Sequence, residues 1–113
     1  QHALAKFMAS NPEYPGTLAN FYQRKRDLFC GALTGSPFAW RPTSGSFFQL
    51  LDYSALSDAP DHTVCVDWTR EHGVASIPIS VFYQQPPVSR YLRFCFAKSD
   101  QTLLAAAERL CAI

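Results

Sequence analysis

Residues 91–97, read Tyr91-Leu92-Arg93-Phe94-Cys95-Phe96-Ala97, constrain this chain more than any other stretch. Large apolar side chains alternate with the others at period two, which predicts a strand. Leu92, Phe94 and Phe96 share the face that must meet a core. Arg93 falls on the opposite face, between Tyr91 and Cys95. A guanidinium keeps its proton at any working pH, so it cannot escape burial by neutralising. Such a strand must bring Arg93 to water or to an anion, and the planar fork suits a carboxylate through two parallel hydrogen bonds. On these residues alone two readings stand: a salt bridge to a local Asp or Glu, or a ligand site.

The rest of the chain supplies the elements around that strand. Ala3, Leu4, Phe7 and Met8 space a helical segment over residues 1–10, which Asn11-Pro12 and Pro15-Gly16 break. With Thr17 as cap, Leu18, Phe21, Tyr22, Leu28, Phe29 and Leu33 trace a long amphipathic helix ending near Gly35. Phe38 to Arg41 reads as a short strand stopped by Pro42, hairpin-paired with a second strand over Ser46 to Tyr53 through a turn in which Gly45 supplies the positive φ. Asp61 can cap a helix running to about His72, with Val64, Cys65 and Trp68 inward and Gly73 as its left-handed stop.

Val74 to Val81 is a third strand, interrupted by Pro78, and Tyr83 to Arg90 is an exposed loop. After the Arg93 strand, Ser99 or Asp100 caps a last helix with Leu103, Ala106, Ala107 and Leu110 on one stripe. The elements run helix, strand, strand, helix, strand, strand, helix. This order predicts an α+β fold, a two-layer sandwich of a small, mainly antiparallel sheet with helices packed on one face. Arg93 then projects from the uncovered face.

Composition excludes several classes of function. A chain of 113 residues suggests one domain, residues 1–113. Its net charge of +1 gives no electrostatic case for nucleic acid, and Arg24-Lys25-Arg26 reads as the wet face of a helix. No apolar run approaches the ~20 residues that span a bilayer, so no membrane partner is expected. Cys30, Cys65, Cys95 and Cys111 form no Cys-x-x-Cys pair and have no His at metal spacing. Free buried thiols in a reducing, cytoplasmic setting are the plain reading, with no metal. His2, His62 and His72 have no nucleophile beside them, and His72 suits a helix C-terminus. Asp52 and Asp67 could make an acid/base pair, but nothing in the sequence fixes their separation. The chain opens at Gln1 within a helical pattern, as a piece of something longer would.

Four stretches together carry a resemblance: Gly45-Ser46-Phe47-Phe48, Asp52-Tyr53-Ser54, Gly73-Val74-Ala75-Ser76-Ile77-Pro78, and Arg93-Phe94-Cys95-Phe96-Ala97-Lys98. Over nearly its whole length the chain resembles the C-terminal small, substrate domain of the class I/II aminotransferases. These are pyridoxal-phosphate enzymes of fold type I, and the methionine and kynurenine or glutamine aminotransferase branch is the most similar. The resemblance implies a parent enzyme that moves an amino group between an amino acid and a 2-oxo acid, usually as a homodimer. It implies that Arg93 grips the substrate α-carboxylate, a positioning role. It makes residues 1–14 the end of a connection from a large cofactor domain, and it places residues 77–80 near the substrate mouth. Family members often carry Gly where this chain has Ile79, so no contact is assigned there.

The family's cofactor-holding lysine sits in a Ser-x-x-Lys setting that Lys6, Lys25 and Lys98 all lack. No catalytic and no cofactor-binding residue is therefore expected in this chain, and the isolated chain is expected to be inactive. The alternative is a stand-alone, non-catalytic carboxylate-binding or interaction module of the same fold.

Overall fold

A computed structural model describes residues 1–86 and 88–113. The central strand is β3, Tyr91–Cys95, with β1 (Phe48–Asp52) on one side and the short β2 (Ile77–Pro78) on the other, in the order β1-β3-β2. Both pairings are antiparallel, as the sequence predicts. The helices are α1 (His2–Ser10), α2 (Tyr14–Ala32), α3 (Asp61–His72) and α4 (Asp100–Cys111).

The alternation in β3 decides the layering. Leu92 and Phe94 are buried, and with Leu51, Tyr53 and Phe96 they meet Phe29 and Leu33 of the α2 end, Val64 and Trp68 of α3, and Leu103, Ala107 and Leu110 of α4. Each buried Val, Leu or Phe among them contributes roughly 1.5–3 kcal/mol by leaving water. The other sheet face is open: Leu50 is 42% and Ile77 37% exposed. The fold is the two-layer α+β sandwich predicted, with α2, α3 and α4 contributing to the core on one face. Helix α1 buries none of its residues.

The helix ends follow local chemistry, with two corrections. Ser99 caps α4 by accepting the Thr102 N–H at 3.2 Å, and Gly73 ends α3 at φ 66°. Thr17 does not cap α2. That helix already starts at Tyr14 with Pro15 in its first turn, and the Thr17 hydroxyl donates back to the Tyr14 carbonyl. Asp61 is the first residue of α3 rather than its cap, and its carboxylate turns to Ser80.

The strands depart further. Phe38 to Arg41 makes a single bridge, Ala39 to Asp52, and the partner of β1 is β3 rather than this segment. The buried side chain of Gln49 replaces the expected ladder, donating to the Arg41 carbonyl at 2.8 Å and accepting the Thr43 N–H at 3.2 Å. Pro42 between them has no N–H to pair. In the turn that follows, the positive φ falls on Ser46 (67°) and not on Gly45. The strand expected over Val74 to Val81 is cut to Ile77–Pro78, because the chain curls into a 3-10 turn over Ser80–Phe82. Of the expected loop, residues 83–86 and Val88 are exposed, while Pro87 lies outside the described residues.

Candidate functional site

Arg93 sits in the middle of the central strand on the open face, opposite Leu50 of β1 and Ile77 of β2. Two aromatic rings hold its guanidinium. The carbon of the fork lies over Phe48 at 4.1 Å and over Phe82 at 4.5 Å from the ring centroids. Phe48 arrives from β1, on the same face and two residues from Leu50. Phe82 arrives from the 3-10 turn after β2. Each contact is worth about 0.5–1 kcal/mol at an exposed site and more where water is excluded.

The local salt-bridge reading fails on geometry. The ion pairs among the described residues are Lys25–Asp100, Arg26–Asp27, His72–Glu71 and Arg90–Asp58, and none involves Arg93. Its Nε is buried and has no hydrogen-bond partner there. A buried N–H left unpaired costs roughly 1–3 kcal/mol; Arg93 as a whole is half-buried, and no described carboxylate pairs with its fork. A carboxylate is the acceptor that matches it.

The surroundings suit an organic acid. Leu50, Ile77, Val81 and Phe82 are exposed apolar groups on or beside the same face. A shallow concavity of about 360 Å³, lined by Ala39, Trp40, Arg41, Leu50, Asp52 and Tyr91, opens beside this face, and Arg93 does not line it. Asp52 accepts the Ser54 N–H at 2.8 Å. Hydrogen bonding from Ser54, reinforced by Tyr91 and Arg90, holds its carboxyl below the usual range. A larger groove of about 440 Å³ runs between α4 and residues 73–75, and Arg93 does not line it.

The other candidates do not converge on Arg93. Asp67 is exposed on α3 while the Asp52 carboxylate is engaged by Ser54, so no acid/base pair forms between them. His72 lies in the last turn of α3, 3.9 Å from Glu71. Lys6 and Lys98 are exposed, and Lys25 is paired with Asp100. Cys30 and Cys65 are buried, but Cys95 is only half-buried and Cys111 is exposed, which corrects the expectation of four buried thiols. No described helix is long and apolar enough to cross a membrane.

Sequence reasoning missed Phe48 and Phe82 as the walls of the site. Their signal was the shared parity of Phe48 and Leu50, legible only once β1 is paired with β3. Asp61 was read as a cap, and its link to Ser80 had no sequence signal.

The chain belongs to the class I and II aminotransferases: the family model for "Aminotransferase class I and II" matches residues 1–110. Among curated relatives, methionine aminotransferase of Escherichia coli K12 is 47% identical over 110 residues, which is 97% of this chain and 28% of that protein. Kynurenine–oxoglutarate transaminase 1 of mouse is 36% identical over 81 residues, 59% of this chain and 19% of that protein. Among solved structures, YbdL of Escherichia coli, described as having a methionine aminotransferase function, superposes with a TM-score of 0.91 at 46% identity, covering 98% of this chain and 29% of that one. The chain therefore spans less than a third of the length of these relatives.

Proposed function

We propose that this chain is the C-terminal, substrate-binding portion of a pyridoxal-phosphate-dependent aminotransferase, in which Arg93 binds the α-carboxylate of the amino acid and of the 2-oxo acid. One observation carries the reading: a guanidinium backed by two phenyl rings on the open sheet face, with no ion-pair partner among the described residues. A carboxylate on the open face would take the fork in two parallel bonds and orient the Cα substituents. Leu50, Ile77 and Phe82 beside it favour an apolar or aromatic side chain on the substrate. The names of the relatives make L-methionine and L-kynurenine the first substrates to try.

The residues present do not fit a cofactor site. Lys6 and Lys98 are exposed, Lys25 is committed to Asp100, and Arg93 is fixed against aromatic rings rather than in a phosphate cradle. The cofactor is assigned to a large domain of the parent, reached through residues 1–14, whose side chains are all exposed here. The parent is proposed to be a cytoplasmic homodimer, by the family resemblance.

Two experiments test this. In the whole enzyme, Arg93→Lys and Arg93→Ala raise KM for L-methionine by at least tenfold, since each charge-assisted bond is worth roughly 1.5–3 kcal/mol. An unchanged KM overturns the assignment. Titrating pyridoxal phosphate into the 113-residue chain produces no stable Schiff-base absorbance, and its appearance would return the cofactor to this chain.

A further inference from the structure

The 3-10 turn that carries Phe82 is anchored from beneath. Asp61, 6% exposed at the start of α3, has no cationic partner among the described ion pairs. Ser80 donates to each of its oxygens: Oδ2 accepts the Ser80 N–H and Oδ1 the Ser80 hydroxyl, each at 2.7 Å. Ser80 opens the turn, the Phe82 N–H donates to the Ile79 carbonyl at 3.1 Å, and the Phe82 ring reaches the Arg93 guanidinium at 4.5 Å. Phe82 is 56% exposed, so core packing does not explain its placement. A buried carboxylate needs strong partners to stay ionised, and here those partners are spent on a turn whose outermost ring touches the ligand-binding cation.

We propose that Phe82, braced through Ser80 by Asp61, is a positioning residue that sets the Arg93 fork for carboxylate capture. Phe48 fixes one contact from the rigid strand. Phe82 supplies the second from a turn, so its placement depends on the brace. The inference rests on Arg93 being the carboxylate receptor.

The test uses the whole enzyme with L-methionine as amino donor and 2-oxoglutarate as acceptor. Phe82→Leu keeps an apolar side chain but removes the ring face, and raises KM for L-methionine about fivefold with kcat within about twofold. Phe82→Tyr keeps the ring face and restores the wild-type KM. Ser80→Ala raises KM with Phe82 present and adds nothing in the Phe82→Leu background. Phe82 is on the surface, so the Leu and Tyr variants fold, and matched melting curves check this. Equal KM for the Leu and Tyr variants overturns the inference, as does an additive effect of Ser80→Ala. Arg93→Lys, run in parallel, separates the failures. If it raises KM while Phe82→Leu does not, only the brace falls. If it leaves KM unchanged, the carboxylate reading falls and the brace with it.

Discussion

Replacing Arg93 by Met should make the chain more stable while removing the group proposed to bind the substrate carboxylate. The unpaired, buried Nε costs roughly 1–3 kcal/mol. Against this stand the contacts to Phe48 and Phe82, worth about 0.5–1 kcal/mol each. A methionine fills the same space and regains about 0.3–1.5 kcal/mol through its sulfur against the rings. The balance favours the variant by about 1 kcal/mol. With a urea slope of roughly 2 kcal/mol/M for a domain of this size, the midpoint rises by about 0.5 M. Trp68 reports the transition, since it is buried edge-on to Phe38 and Tyr53 at 5.6 and 5.9 Å. A midpoint that falls by a similar amount at unchanged slope would refute the reasoning: Arg93 would then be contributing to the fold. The expected outcome is the usual opposition of stability and activity, here at a proposed binding group.

Other outcomes follow from the same geometry. Burial pushes the Asp61 carboxyl up, but the hydrogen bonds from Ser80, with the N–H groups of His62 and Ile79, outweigh it and hold it below its ordinary range. Its stabilisation is therefore fully present above that ordinary range and is lost as pH falls through the lowered value; Asp61→Asn costs about 2 kcal/mol at neutral pH and flattens this acid limb in urea titrations. Leu92→Ala removes a fully buried side chain from the central strand and costs about 2–5 kcal/mol, read as a lower urea midpoint at unchanged slope. Burial pushes the Cys30 and Cys65 thiols above their ordinary range, so a thiol reagent modifies the exposed Cys111 first and reaches these two only on unfolding.

What could be read without coordinates was local. Leu92, Phe94 and Phe96 announce a strand by parity, Ser99 and Gly73 announce helix ends by their own backbone chemistry, and the exit of Arg93 from the open face follows from that parity. The expected strand at Phe38–Arg41 failed because a side chain from elsewhere, Gln49, took over the backbone groups of Arg41 and Thr43. The strand at 74–81 was shortened because Asp61, 19 positions away in sequence, gathered Ser80 into a turn. The site was half legible for the same reason. The need to reach water or an anion is written in one residue, whereas the rings of Phe48 and Phe82 reach it only through pairing and a turn.

The antiparallel placement of β3 between two neighbours ties the interior and the binding face to one count of residues. Adding or deleting a single position within Tyr91–Cys95 would turn the guanidinium toward Trp68 and Leu103 and push Leu92 or Phe94 into water. A change of length is thus expected to be tolerated in the connections flanking this strand rather than within it, and substitution at Arg93 is separable from the core only while that count is kept.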